Sequence, residues 1–516
     1  MEIWMWIPLV LIGVVLLVVL YDVFQSGDAI WHNFPLVGHF RNLVSASGPP
    51  LRQYIVAAND EERPFSRDQR RWVYTSAAKK NNYFGFGTDN DLERTSNYTV
   101  LRHSAFPLHE PHKGDADYDP DFHLPCAKVL GGPRERKQAF RPRSIIGVSA
   151  MSYGSLGSTA VEAINRGCGI SECLHNTGEG GVSPYHDKGG GLIWQLGTGY
   201  YGARTAEGRL DYERLVATAA ERKVKAIEIK LSQGAKPGLG GVLPGSKVTP
   251  EIAKIRGIPL GKDCLSPSSH REFSSVDELL DVVEKIADKT GLPVGIKSAV
   301  GDMGFWSDLV AALEKDPGRG IDYVQIDGGE GGTGAAPLAF SDHVALPFKL
   351  GFSSVYRLFA ERELTDRLVF MGSGKLGFPE AGILAMALGC DMIMVAREAM
   401  LSIGCIQAQE CHTGHCPAGV ATHNKWLVRG LDPTNKAGRL ANYMITLRKE
   451  LTRMSRAAGK IHPGLITSEQ VAILDEHFGV RSLREVFDYE AGWGQPSDAQ
   501  AAELAKLMER GVALAS

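Results

Sequence analysis

Two hydrophobic patterns divide the chain. The first is one uninterrupted run, Ile3 to Leu20 (IWMWIPLVLIGVVLLVVL), which carries no charge and is flanked by Glu2 and Asp22. Its length is close to the ~20 residues that a bilayer-crossing helix needs. Trp4, Trp6 and Tyr21 stand near its two ends, where amphipathic rings favour the headgroup region. No basic stretch precedes the run and no small-x-small cleavage signal directly follows it, so residues 1–22 are expected to be a membrane anchor rather than a cleaved signal peptide. The neighbouring cations (Arg41, Arg52, Arg63, Arg67, Arg70, Arg71) all follow the span. That bias predicts a single-pass protein whose large C-terminal part faces the cytoplasm.

The second pattern is an alternation. Short, apolar, mostly β-branched runs lie at Ser144–Ala150, Cys173–Thr177, Leu192–Leu196, Ala226–Leu231, Val294–Ala299, Tyr323–Asp327, Leu368–Gly372 and Met392–Ala396. Runs of this kind suit strands buried on both faces. Segments of helical period fit between many of them, at Leu156–Arg166, Tyr212–Glu221, Val276–Thr290, Phe305–Lys315, Ser353–Leu364 and Pro379–Leu388. Strands alternating with helices imply parallel strands and crossover helices. Eight such units predict an α/β fold, a (β/α)8 TIM barrel over residues 143–425. An N-terminal extension (23–142) would precede it, and a C-terminal extension of short helices (426–516) would follow.

Composition changes this picture in few places. Lys+Arg 56 against Asp+Glu 59 leaves no basic field, so no nucleic-acid partner is expected. Eight cysteines scattered through 516 residues do not frame a disulfide scaffold and suit a reducing compartment. In the N-terminal extension, the charge-dense stretch Asp60–Trp72 reads as a solvated, partly helical face. His109, His112, Asp115, Asp117 and His123 are irregularly spaced, as in a loop with surface histidines rather than a metal site. Glycine is the exception, at 59 residues, many of them in runs.

Those runs fall where the predicted strands end, the face on which barrels build their sites. Gly372, Ser373 and Gly374 follow the seventh strand, and Ala396 and Arg397 end the eighth, where barrels commonly hold phosphate on backbone N–H groups. Lys230 and Lys297 sit at strand ends, and a lysine there is costly unless it is paired or functional. They could stabilise an electron-rich reduced ring, while Asn176 and Gln195 bond its edge, which would describe a flavin mononucleotide (FMN) site. Cys405, Cys411 and Cys416 have five and then four residues between them and are followed by Pro417. They fit an iron–sulfur cluster, a zinc site completed by His412 or His415, or three buried thiols.

Several motifs together carry a specific resemblance. They are Ala150-Met-Ser-Tyr-Gly-Ser155, Asn176-Thr-Gly-Glu-Gly-Gly181, Lys230-x-x-Gln-Gly-Ala-Lys-Pro-Gly238, Asp327-Gly-Gly-x-Gly-Gly-Thr-Gly-Ala335 and Cys405-x5-Cys411-x4-Cys416-Pro-x-Gly-Val-Ala-Thr422. In this order they resemble the synthase (flavin-binding) domain of glutamate synthase, in its shorter stand-alone form. The resemblance implies a 3Fe–4S cluster on the three cysteines. It implies FMN near Met151, Ser152, Gln195, Lys297, Gly328, Gly329, Gly372 and Gly374, with Asn176, Asp327, Ser373, Ala396 and Arg397 completing the cofactor set. Glu179, Lys230, Gln233, Lys236 and Arg256 would face the substrate. The implied reaction, on a CH–NH2 group, is reduction of the 2-iminoglutarate formed from 2-oxoglutarate and ammonia.

The chain also departs from that family. A membrane span stands where the glutaminase domain needs an amino-terminal cysteine, so ammonia is not expected to come from glutamine here. The glycine-repeat β-helix is not visible after Thr422. Leu239 and Val242 stand where glutamate synthases carry Glu and Gln, which should change the ligand that fits. No glycine motif opens a nicotinamide Rossmann domain, so electrons are expected from a ferredoxin or a reductase subunit. Two alternatives are a non-catalytic membrane electron-transfer subunit and an enzyme of N-methyl or one-carbon amino-acid chemistry.

Overall fold

The computed structural model describes residues 6–25, 31, 34–51, 61–85, 87–88, 90–93, 95–115, 118–475 and 477–509. Glu2, Ile3, Trp4, Arg52, Asp60 and Asp117, used above, lie outside the described residues. The chain divides into two units, Met1–Arg71 and Trp72–Ser516.

In the smaller unit, helix Trp6–Phe24 (19 residues) is long and apolar enough to cross a membrane. A second helix, Val37–Leu51, is tied to its end, since the buried Asp22 carboxylate accepts from Leu36 N at 3.0 Å and bonds His39 Nε2 at 2.9 Å. These bonds satisfy a carboxylate that would be costly to bury alone.

The larger unit holds a closed barrel of eight strands: β1 (Ile146–Val148), β2 (Leu174–Asn176), β3 (Gly191–Leu196), β4 (Val224–Lys230), β5 (Val294–Ala299), β6 (Tyr323–Asp327), β7 (Val369–Ser373) and β8 (Met392–Val395). Every neighbouring pair is parallel and β8 closes on β1. All eight expected runs are strands, and β5 and β6 have the expected bounds. Helices Tyr212–Glu221 and Val276–Thr290 also match. Both begin after a residue whose side chain accepts from the first turn, Asp211 and Ser275, as N-caps should.

Inward-facing side chains recur every second residue along each strand. At the floor, Leu174, Ile193, Ala226, Tyr323, Val369, Met371, Met392 and Met394 form one apolar cluster. Tyr323 lies flat against Gly295, where an added Cβ would come within 2.4 Å of its ring. Two residues further along the same strands the inward positions become polar: Asn176, Gln195, Glu228, Lys297 and Gln325 are all buried.

Two expectations need correction, and one feature was not expected. The sixth crossover helix is Phe348–Ala360 rather than Ser353–Leu364, because the buried face begins at Phe348, directly after Pro347. Residues after β4 make an excursion not assigned from the sequence: Val242–Leu243 pairs with Cys264–Leu265, with helix Pro250–Arg256 between them. The stretch beyond Thr422 is not only short helices. Pro433–Ala457 is a 25-residue helix, and its Arg448, fully buried, donates to Ser171 O at 2.9 Å. Val471–Leu474 pairs with Val480–Ser482 and also with Tyr98–Leu101, so both extensions share one antiparallel sheet.

Candidate functional site

The rim at the carboxyl ends of the strands is built by loops that lock one another. Arg256, from the excursion helix, is buried and donates to Ser152 Oγ at 3.3 Å and Tyr153 O at 3.1 Å. It therefore holds the turn after β1 as well as lining the rim. The loop after β2 lies on that turn: an added Cβ at Gly178 (φ +66°) would be 2.6 Å from Ser152 N. Only glycine meets both demands there.

This packing delivers Glu179 to Lys230. The carboxylate is 3.2 Å from the ammonium, and Gln233 Oε1 accepts from the same Nζ at 2.7 Å. Burial alone would raise the Glu179 carboxyl, but Lys230, with Lys236 and Arg256, outweighs it and holds the group below the ordinary carboxylate range. Lys236 differs. It is 5% exposed, and among the described residues its ammonium has no hydrogen-bond or ion-pair partner. Burial, reinforced by repulsion from Lys230 and opposed by Glu179, lowers its pKa. A buried ammonium that no hydrogen bond or ion pair engages is a ready seat for a carboxylate ligand.

Beneath the rim lies a residue the sequence reading missed. Glu228 is fully buried, and its Oε1 accepts from Asn176 Nδ2 at 2.8 Å and Gln195 Nε2 at 2.6 Å. Among the described residues its Oε2 has no partner, nor has Gln325 Oε1. Burial raises the Glu228 carboxyl, with Lys297 opposing. The signal was available: Glu228 is two residues before Lys230, on the same inward face of a strand buried on both sides. Lys297 is 3.6 Å from Asp327, which also accepts from Gly234 N at 2.9 Å and from Ser373 Oγ. The glycines after β6 are spent within the protein, Gly328 N donating to Ser373 O at 2.8 Å and Gly329 N to Leu346 O at 2.9 Å. Gly374, after β7, turns the chain at φ +145°, and Gly372 packs against Phe348 and Cys390. Arg397 donates to Glu330 O, so the β6 loop covers the start of the helix that follows β8. Met151, 9% exposed, and Ala396, the residue preceding helix Arg397–Ser402, lie at the ends of β1 and β8. Unpartnered buried acceptors beside a buried ammonium fit a heterocycle that carries N–H and carbonyl groups, as a flavin does.

The cysteine loop lies at this same end. Cys405 and Cys411 are half-buried and Cys416 is buried. Lys247, another buried residue with no sequence signal, donates to Cys411 O at 2.8 Å and Ala421 O at 3.0 Å. His423 Nε2 bonds Gly154 O at 3.0 Å, and Gly157 N donates to Val420 O at 2.9 Å. The loop is thus fastened to the β1 turn and to the β4 excursion. Burial, with Cys416 nearby, raises the Cys411 thiol.

Among the described residues, three ligand-type atoms within 4.8 Å of one another occur at the exposed His109, His112 and Asp115 and not at the cysteines. The donor set, three thiols, suits iron–sulfur ligation. His123 is elsewhere, paired with Asp119 and Glu172 at 2.8 Å each.

A family model described as the conserved region in glutamate synthase matches residues 123–461. The glutamate synthase large subunit-like protein YerD of Bacillus subtilis (strain 168) is 36% identical over 501 residues, covering 91% of this chain and 95% of that one. An archaeal glutamate synthase (NADPH) of Methanocaldococcus jannaschii is 35% identical over 327 residues. That match covers 60% of this chain and 58% of the relative, so the chain spans a little over half of it. A solved flavocytochrome b2 with sulfite bound aligns with a TM-score of 0.44 and 14% identity over 94% of each chain.

Proposed function

Since the chain belongs to the glutamate synthase family, we propose that it is a flavoprotein oxidoreductase acting on CH–NH2 groups, one that reduces a 2-imino acid to an amino acid. The 2-imino acid forms from a 2-oxo acid and ammonia or an amine. Bound FMN supplies hydride chemistry at the imine carbon, and an iron–sulfur cluster, 3Fe–4S by family resemblance, supplies electrons singly from a ferredoxin or reductase subunit.

The chain's own residues have distinct tasks in this reading. Lys236 binds a substrate carboxylate, because it is buried at the rim and its ammonium has no hydrogen-bond or ion-pair partner among the described residues. Lys230, held by Glu179 and Gln233, presents a second positive site beside it. Arg256 keeps the β1 turn against the rim. Gln195 and Lys297 hold the ring, with Asn176 and Glu228 fixing Gln195 from behind, and Cys405, Cys411 and Cys416 hold the iron. Helix Trp6–Phe24 anchors the protein as a single span, with the larger unit in the cytoplasm.

The observation that carries the proposal is the meeting, at one end of one barrel, of an unpartnered buried ammonium, orphaned buried acceptors and a fastened loop of three cysteines. The test is anaerobic purification of the full chain in detergent. The expected product is yellow-brown, releases FMN on denaturation, contains iron, and after chemical reduction is reoxidised by a 2-oxo acid, 2-oxoglutarate or a more apolar one, with ammonia or an amine. Colourless, iron-free protein overturns the cofactor assignment. A coloured protein that no 2-oxo acid reoxidises, with ammonia or an amine present, favours an electron-transfer subunit instead.

One observation qualifies the substrate. Leu239 and Val242 are 36% and 48% exposed at the rim, where the resembled enzymes carry polar side chains. If these two side chains face the substrate, the pocket suits a 2-oxo acid with a more apolar tail than 2-oxoglutarate.

A further inference from the structure

The buried polar layer contains a chain of hydrogen bonds whose direction is set from one end. A side-chain amide can usually be turned end for end, which leaves its donor and acceptor ends undecided. Here one end of the chain is a backbone N–H, which can only donate. Gly178 N is 3.0 Å from Asn176 Oδ1, so that oxygen is the acceptor and Asn176 Nδ2 is the donor toward Glu228 Oε1 at 2.8 Å. Glu228 Oε1 is therefore an acceptor, whether or not a proton resides on Oε2. Gln195 meets the same oxygen at 2.6 Å and, with Glu228 ionised or carrying its proton on the unpartnered Oε2, also offers its NH2. Its Oε1 is then the polar atom left to face the ring site.

We propose that Glu228 is a positioning residue that fixes Gln195 as a hydrogen-bond acceptor toward the ring site, so that the bound heterocycle must offer an N–H there. This rests on the flavin reading above. The pyrimidine edge of the isoalloxazine has one N–H, at N3, between two carbonyls, and Lys297 in the same layer supplies a donor for a carbonyl. Without Glu228 both amides can turn, and Gln195 can present either end. The sequence motif makes Lys230 conspicuous and hides Glu228, yet Glu228 sets the polarity of this edge.

The test is flavin binding by the full chain stripped of flavin, read by the change in flavin fluorescence on titration with FMN and with N3-methyl-FMN. The native chain should prefer FMN by about 5- to 150-fold, the range for leaving one buried acceptor unpaired. Glu228→Leu should reduce the preference to below about 3-fold, while Glu228→Gln, which keeps an acceptor oxygen for both amides, should retain it.

Preference unchanged in a folded Glu228→Leu protein overturns the proposal. So does Glu228→Gln behaving like Glu228→Leu, because charge rather than hydrogen-bond direction would then be the cause. Should Glu228→Leu not fold, Gln195→Met decides: the preference should vanish, and its persistence overturns the assignment. A native chain that binds neither flavin refutes the flavin reading itself, a different failure.

Discussion

The floor and the rim of the barrel are built from the same strands two residues apart, and they are under opposite constraints. On β4 the inward positions run Ala226, Glu228, Lys230; on β6 they run Tyr323, Gln325, Asp327. The lower member of each series sits in the apolar cluster, and the upper members carry charge or unpaired polar atoms. At the floor, apolar contact removes side chains from water without demanding direction. At the rim, burial strengthens every electrostatic interaction and penalises every group left single. Stability and ligand binding should therefore separate cleanly along one strand.

The largest test removes the floor. Tyr323 is fully buried, packs on Gly295 and donates to Ile227 O at 2.9 Å. Tyr323→Ala should lose about 3–5 kcal/mol, the usual range for deleting a buried aromatic, measured by chemical denaturation. Tyr323→Phe should lose about 1 kcal/mol, the hydrogen bond alone. The folded fraction of either variant should bind flavin as the native protein does. Weakened flavin binding in folded protein would show that floor and rim are coupled.

Lys236→Met examines the rim from the other side. Removing an unpartnered buried charge should leave the denaturation midpoint unchanged or raise it. The KM for a 2-oxo acid should rise by about 10- to 150-fold, as for a lost charged hydrogen bond. The pH profile sharpens the contrast. The Lys236 pKa is lowered in the folded state, so between the folded and unfolded values the unfolded chain binds more protons. Stability from this group therefore rises with pH through that window, up to the ordinary lysine value. The variant should lack that rise. A destabilised variant with an unchanged KM would make Lys236 a packing residue.

The same contrast explains what could be seen in the sequence. The floor was legible because apolar β-branched runs are unmistakable, and β5 and β6 were bounded correctly from them. Treating such a run as a uniform block concealed Glu228, since a strand buried on both faces shows no outward alternation to reveal which side chains share a face. The cysteine loop and the glycine runs announced themselves by spacing. Lys247 could not be found this way, because its partners, Cys411 O and Ala421 O, are backbone carbonyls far along the chain. The Val242–Leu243 and Cys264–Leu265 ribbon has only two residues in each strand, too few for a period. The sheet joining Tyr98–Leu101 to Val471–Leu474 depends on pairing between opposite extensions, which no local pattern encodes.

That ribbon provides the smallest and most discriminating test. Val242 lies opposite Leu265, and both are exposed, so neither is needed by the core. Val242→Gln should change stability by no more than about 0.5 kcal/mol, as surface substitutions usually do. If the ribbon edge faces the substrate, the new amide can bond a distal carboxylate. The ratio of kcat/KM for 2-oxoglutarate to that for an apolar 2-oxo acid should then rise by about 2- to 10-fold, the range for one neutral hydrogen bond. The pair of substrates matters, because a general change in flavin or cluster would move both values together and leave the ratio fixed. A fixed ratio with unchanged stability would place Val242 outside the pocket, leaving Lys236 and Lys230 to select the substrate by charge alone.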